Sequence, residues 1–147
     1  MASTVRTAVV LPDVNLLFAA HRVAHEHHRL ALEWLRVQTA FATCATTELG
    51  LVRLLSNPVV NPGATTEDAL AALARVRSRR AHQFWTEASS LGDPAIDVSR
   101  MAGHQQVTDF HLVNLAARNA GVLATLDAKI AGSLASRDRV HVLTLTA

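Results

Sequence analysis

The chain has 147 residues, of which 50% are hydrophobic and 18% are charged, so it can bury the core of one folded domain and does not have the composition of a disordered protein. Its formal net charge is only +2, and its single cysteine, Cys44, excludes an internal disulfide. No stretch reaches the roughly 18 apolar residues of a membrane span, and Pro12 and Asp13 interrupt the first apolar run too early for a signal peptide. We therefore expect one cytoplasmic domain, covering residues 1–147, that does not contact a membrane.

Short apolar segments alternate with amphipathic segments along the chain. The pattern predicts strands at 8–11, 41–43, 82–86, 122–125 and 140–145. It predicts helices at 14–20, 25–38, 46–55, 65–76, 97–103, 108–119 and 128–134. Thr46 and Thr108 are the expected N-caps of their helices, and Gly121 is expected at the C′ position after residue 119. Alternating strands and helices indicate an α/β fold, a three-layer α/β/α sandwich with a mostly parallel central sheet.

Four acids share one sequence environment at the start of a helix. Asp13 is followed by apolar residues at positions i+3, i+4 and i+7, which lie on one helix face, and the same spacing follows Glu48, Asp109 and Asp127. Three of the four come after a recognisable strand. Because ligands in such folds bind beyond the carboxyl ends of the strands, these helix starts can converge at one edge of the sheet. Glu67 also has the apolar spacing, but no strand precedes it, and we interpret it as a cap residue.

Clustered carboxylates repel one another unless a cation lies between them. An all-oxygen ligand set favours Mg²⁺, with Mn²⁺ as a possible substitute, and such an ion can activate water for attack on a phosphodiester. The alternative is that first-turn acids complement the helix dipole, which accounts for one or two of them. Asn15, Thr108 and Thr125 are candidates to orient a carboxylate or a phosphate, or are turn and cap residues.

Four motifs in this order resemble the acidic signature of PIN-domain ribonucleases. They are Leu-Pro-Asp13-Val-Asn-Leu-Leu, Thr47-Glu48-Leu, Thr108-Asp109-Phe-His-Leu and Thr125-Leu-Asp127, and together they are most similar to the VapC toxins of toxin–antitoxin pairs. The resemblance covers nearly the whole chain. It implies a Mg²⁺-dependent endoribonuclease, a homodimer, and a cognate VapB antitoxin whose C-terminal segment occupies the active-site groove.

The resemblance also implies roles for the four acids. Asp13 and Asp109 match the acids that hold the ion, Glu48 completes the core trio, and Asp127 matches a more variable fourth position. We therefore expect a water activated by the ion to attack an RNA phosphodiester, with Glu48 orienting that water or a metal ligand. Asp127 would hold a second, weaker ion or a metal-bound water. Neither the RNA sequence that is cut nor the number of ions follows from the motifs.

Other functions compete with this interpretation. The basic segment 75–80, with four arginines, is a hypothetical RNA contact or a solvated helix end. The histidines near residue 25 suggest zinc only weakly, because cysteine partners are lacking. A non-catalytic Mg²⁺-binding signalling domain would need a lysine at a late strand's end, whereas the only lysine, Lys129, falls in a predicted helix. A pure RNA-binding module is a further alternative, although six aromatic residues make stacking platforms scarce.

Overall fold

Five short apolar strands form the centre of the molecule. The structure is a computed structural model that describes residues 8–146. The strands are β1 (Val10–Pro12), β2 (Phe41–Cys44), β3 (His82–Trp85), β4 (Val122–Thr125) and β5 (Val142–Thr144). All neighbouring strands are parallel, in the order β3-β2-β1-β4-β5. Strand β1 therefore lies in the middle, and whatever follows it lies at the centre of the sheet's carboxyl edge.

Helices cover both faces of this sheet. They are α1 (Val14–His21), α2 (His28–Arg36), α3 (Ala45–Ser56), α4 (Thr66–Arg77), α5 (Val107–Arg118) and α6 (Ala128–Ser133). Two 3-10 segments, His104–Gln106 and Ser136–His141, precede α5 and β5. None of the helices between residues 8 and 146 is long and apolar enough to cross a membrane.

The alternation of side chains along each strand produces two hydrophobic cores. Val10 and Phe41 pack with α1, α2, α3 and α4 on one face. Leu11 and Leu123 pack with α5 and α6 on the other, where Phe110 is also fully buried. Burial on both faces is the arrangement expected of parallel strands. The predicted three-layer α/β/α fold is thus confirmed.

Several predicted helix ends are wrong, for local reasons. Helix α3 is capped by Cys44 rather than Thr46, because the Cys44 N–H donates to the hydroxyl of Thr47. The 3-10 segment at His104–Gln106 runs directly into α5, so Thr108 lies inside the first turn instead of capping it. After α5, Ala120 rather than Gly121 adopts the left-handed conformation, with φ of 52°.

The stretch predicted as a helix at 97–103 does not form one. The carboxylate of Asp97 accepts hydrogen bonds from both the backbone N–H and the hydroxyl of Ser99. Such a local turn competes with helical hydrogen bonding at a short, weakly apolar segment. The segment instead leads to the 3-10 turn that starts at His104.

Candidate functional site

Asp13 is the buried centre of the carboxyl edge. It follows β1 directly and caps α1, where its Oδ1 accepts the Leu16 N–H at 2.8 Å. Its Oδ2 accepts the hydroxyl of Thr125, the last residue of β4. The residue is only 5% exposed. Two donors therefore fix the orientation of a carboxylate that has almost no contact with bulk water.

The pKa of Asp13 is raised to about 6. Desolvation by burial is the main cause, and the negative charges of Asp109 and Asp127 raise it further. The hydrogen bonds from Thr125 and from the Leu16 N–H act in the opposite direction. The charges of Asp109 and Asp127, from two other helix starts, are thus close enough to oppose the ionisation of Asp13.

Asp109 and Asp127 lie toward the solvent side of this cluster. Asp109, in the first turn of α5, is half-buried, and desolvation followed by the charge of Asp127 raises its pKa. Asp127 is exposed and caps α6 by accepting the Lys129 N–H at 2.9 Å. Both aspartates line a cavity of about 280 Å³. The other residues lining it are Gln105, Gln106, Lys129, Ile130 and Ser133.

Glu48 points to different partners. It lies in the first turn of α3, and its Oε2 accepts hydrogen bonds from the hydroxyl of Thr43 and from Nη1 of Arg77, both at 2.6 Å. Within residues 8–146 no three His, Cys, Asp or Glu side chains converge as a ready-made metal cluster. The charges of Asp109 and Asp127 thus act on Asp13, whereas the carboxylate of Glu48 is bound to an arginine.

The distance between α1 and α3 is set by a glycine. A Cβ at Gly50 would lie 2.5 Å from a methyl carbon of Val14, so only glycine allows the two helices to approach this closely. Val14 follows Asp13 and Gly50 is two residues after Glu48. The close approach thus determines how near the first turns of the two acid-bearing helices can lie.

The three proposed orienting residues differ in their placement. Thr125 is fully buried, donates to Asp13, and accepts the Asp127 N–H at 3.0 Å, so it connects two of the aspartates. Asn15 and Thr108 are exposed and make no side-chain hydrogen bond to another described residue.

Sequence reasoning missed a second set of polar contacts at this edge. The hydroxyl of Thr43 lies 2.7 Å from Nε2 of His82, and with the threonine donating to Glu48 the imidazole N–H donates to the threonine. The sequence did contain a signal for Thr43, because it lies near the end of β2, as Thr125 lies at the end of β4. His82 gave no signal, since its contact depends on the pairing of β2 with β3.

Glu87 also gave no sequence signal, although it bridges two helices. Its Oε2 accepts the Thr46 N–H at 3.0 Å, and its Oε1 accepts the Thr46 hydroxyl and lies 2.6 Å from Nε2 of His111. Hydrogen bonds from Thr46 and His111 lower the pKa of Glu87 although desolvation opposes them. Helices α3 and α5, whose first turns carry Glu48 and Asp109, are thereby joined by one carboxylate.

No protein-family model matches the chain, but several characterised proteins align with most of it. It is 39% identical over 123 residues to "Ribonuclease VapC29" of Mycobacterium tuberculosis, with 83% of this chain and 88% of that protein covered. It is 41% identical over 137 residues to "Ribonuclease VapC39" and 38% identical over 141 residues to "Ribonuclease VapC38" of the same organism. These alignments cover 90% and 94% of this chain and 98% and 99% of the two relatives. The chain belongs to the VapC ribonuclease family.

The aspartates of this VapC protein have the chemistry that Mg²⁺ requires. The ion usually binds one or two carboxylates and keeps several waters, so a ready-made cluster of three side chains is unnecessary. Asp13, Asp109 and Asp127 supply hard oxygen ligands, and their mutual repulsion is the electrostatic condition that a cation relieves. The residues present therefore fit a magnesium ion at this edge.

The basic segment 75–80 of this VapC protein is divided by its contacts. Arg79 donates to the carbonyl of Leu35 and lies over the ring of Phe41, which gives it a structural role. Arg77 contacts Glu48, while Arg75 and Arg80 are exposed. The four arginines thus have different contacts and do not all serve as one RNA-binding surface.

Proposed function

We propose that this protein is a Mg²⁺-dependent endoribonuclease and the toxin of a VapBC toxin–antitoxin pair, acting in the cytoplasm where its RNA substrates are. Membership of the VapC ribonuclease family supports the reaction class. The observation that carries the metal dependence is the environment of Asp13. Its carboxylate is 5% exposed, its pKa is raised to about 6, and two further aspartates add to the repulsion.

Each carboxylate has a proposed part in the reaction. Asp13 and Asp109 are the residues that would hold Mg²⁺, which when bound supplies an activated water and stabilises the charge that develops on the phosphodiester. Thr125 keeps the Asp13 carboxylate in one orientation through its hydrogen bond to Oδ2. Asp127, on the exposed side, is suited to hold a second, weaker ion or a water. Glu48 would orient the attacking water or a metal ligand.

The RNA reaches this site from the solvent side. The cavity beside Asp109 and Asp127 is open to solvent and includes Lys129, whose ammonium group is available to a phosphate. The ammonium group of Lys129 beside two carboxylates favours a substrate whose phosphate contacts the lysine while a metal ion binds the carboxylates. Single-stranded RNA loops, whose backbone can be approached from several directions, are the substrate class that we propose.

The protein partners that we propose are a cognate VapB antitoxin and a second copy of this chain. A surface suited to the antitoxin lies between α3 and α4, where an apolar groove of about 310 Å³ includes Leu49, Leu70 and Phe84. These three side chains belong to residues that are 63%, 57% and 42% exposed. Exposed apolar patches of this kind are commonly covered by protein partners. Light scattering of the purified chain, with and without the product of an adjacent small reading frame, tests both partners.

The test of the reaction is cleavage of structured RNA by purified protein. Wild type and Asp93→Asn, which changes a largely exposed side chain away from the aspartate cluster, should cleave in Mg²⁺ and stop in EDTA. Asp109→Asn should be inactive in both conditions. Cleavage that survives both EDTA and Asp109→Asn would overturn the metal mechanism, and an inactive wild type across tRNA, ribosomal RNA and messenger RNA would overturn the proposed function.

A further inference from the structure

The carboxylate of Glu48 is held by an arginine from another helix. Nη1 of Arg77, the last residue of α4, donates to Oε2 of Glu48 at 2.6 Å. The same oxygen accepts the hydroxyl of Thr43. An acid that belongs with the aspartates by sequence order is therefore neutralised by a positive charge.

The two side chains of this ion pair differ in exposure. The Glu48 side chain is 14% exposed and the Arg77 side chain is 45% exposed. Because the carboxylate is shielded, the pair is stronger than an ordinary surface pair, yet its arginine can be reached from solvent. A competing anion would therefore approach Arg77, and Glu48 would be the group released.

Arg77 has unpaired hydrogen-bond donors and contacts an aromatic ring. Within residues 8–146 it makes no other side-chain hydrogen bond, which leaves Nε and Nη2 available. Its guanidinium carbon lies 5.0 Å from the ring centroid of Phe84, itself 42% exposed. The arginine fork suits phosphate recognition, and stacking on an aromatic ring holds the guanidinium in place.

We propose that bound RNA breaks the Arg77–Glu48 ion pair, which we call the latch. A backbone phosphate of the bound RNA accepts hydrogen bonds from the guanidinium of Arg77 and replaces Glu48 as its partner. Glu48, no longer neutralised, becomes free to act with Asp13 and Asp109 on the metal. Arg77 is thus a substrate-binding residue that also controls Glu48. The inference rests on the proposed ribonuclease function and adds to it a role for the contact between Arg77 and Glu48.

Coupling between RNA and metal follows from this arrangement. Before RNA binds, Glu48 contributes little to metal affinity because its charge is paired with Arg77. If RNA releases Glu48, RNA must raise the affinity for the metal, and by linkage the metal must raise the affinity for RNA. The protein would assemble its full set of carboxylates only around a substrate.

The first experiment measures metal binding without RNA. Mn²⁺ is titrated calorimetrically into wild type, Arg77→Gln, Arg77→Lys and Arg53→Gln, the last changing an exposed arginine on α3 whose side chain makes no hydrogen bond to a described residue. Arg77→Gln should bind Mn²⁺ about fivefold more tightly than wild type because Glu48 is freed. Arg53→Gln should match wild type. Arg77→Lys should lie between the two, since lysine keeps the charge but loses the fork geometry.

A double variant shows whether the gain in Mn²⁺ affinity depends on Glu48. In Glu48→Gln the additional substitution Arg77→Gln should leave Mn²⁺ affinity unchanged. Wild-type affinity in Arg77→Gln, or a gain that persists in the double variant, would overturn the latch. Thermal unfolding of each variant is recorded alongside, and if Arg77→Gln is not folded, the comparison of Arg77→Lys with wild type decides the question in the same way.

The second experiment measures RNA binding in EDTA, where the proposed enzyme does not cut. Anisotropy of a labelled single-stranded oligoribonucleotide should show about tenfold weaker binding to Arg77→Gln, and a salt slope smaller by about 0.7 for the loss of one phosphate contact. Arg53→Gln should keep the wild-type slope. Equal binding by wild type and Arg77→Gln would contradict the phosphate role. Cleavage in EDTA would contradict the proposed metal mechanism instead, and the Mn²⁺ titrations would still report on the latch.

Discussion

The hydroxyl of Thr125 donates to Oδ2 of Asp13 and thereby joins the end of β4 to the start of α1. The same oxygen atom of Thr125 accepts the backbone N–H of Asp127 at 3.0 Å. One buried threonine therefore fixes the carboxylate of the first aspartate and the backbone of the third. The relative positions of these two acids therefore depend on a buried, uncharged side chain.

Thr125→Val should impair the metal site without removing any carboxylate. Valine has nearly the same shape as threonine but cannot donate to Asp13 or accept from Asp127. Loss of such a supporting hydrogen bond to a metal ligand typically costs 10–100-fold in metal affinity or activity, and we expect about this loss in Mg²⁺ affinity. Thr144→Val is the control, because Thr144 occupies the matching register position on β5. Equal Mg²⁺ affinity in the two variants would mean that the Thr125 hydroxyl does not support the site.

Asp13→Asn should change how stability depends on pH in the absence of metal. The pKa of Asp13 is raised in the folded protein to about 6, so ionisation at high pH costs stability that is regained as the pH falls through this value. The variant cannot ionise and avoids this cost. In EDTA, the stability of Asp13→Asn relative to wild type should therefore be greater at pH 7.5 than at pH 5.5, by about 1 kcal/mol.

Urea unfolding at the two pH values measures this difference. The histidines with lowered pKa, His21, His25 and His82, affect wild type and variant alike and cancel in the comparison. Asp93→Asn, at an exposed position away from the aspartate cluster, is measured as the control. A relative stability of Asp13→Asn that does not change with pH would show that Asp13 is ionised normally.

Glu87→Gln should destabilise the protein through its contacts to α3 and α5. The substitution weakens the bonds to Thr46 and to Nε2 of His111, and we expect a loss of about 1.5 kcal/mol in the free energy of unfolding at pH 7. Because the pKa of Glu87 is lowered, this contribution is present above the ordinary glutamate pKa and is lost as the pH falls through the folded value.

Glu33→Gln provides the comparison for Glu87. Glu33 also forms an ion pair, with Arg29, but both side chains are largely exposed, so its loss should cost well under 1 kcal/mol. Chemical denaturation of both variants at pH 7 measures the two losses. Equal losses would mean that the bridge formed by Glu87 contributes no more than a surface pair.

The fold, and the placement of Asp13 and Asp127 at one edge, could be predicted from the chain order of strand, acid and helix. Asp13 follows β1 directly and Asp127 follows β4 after one residue, and in a parallel sheet such residues reach the same edge. The orientation of Glu48 could not be predicted, because Arg77 is 29 residues away and lies on another helix. The same holds for Thr43 and His82, which are 39 residues apart and meet only because β2 pairs with β3.

Helix caps were predicted less well because a cap depends on one or two hydrogen bonds. Thr46 was expected to cap α3, yet its hydroxyl and N–H both donate to Glu87, which lies 41 residues later. With Thr46 engaged there, the cap lies two residues earlier, at Cys44. Local preference at this helix start was thus overridden by a tertiary contact.

The metal site itself is tested most directly by a crystal of this protein soaked in Mn²⁺ and measured for anomalous scattering. The account predicts one strong anomalous peak in contact with carboxylate oxygens of Asp13 and Asp109, and no peak there in crystals of Asp109→Asn. A peak bound instead by the histidines near residue 25, or no peak at the aspartates at saturating Mn²⁺, would contradict it.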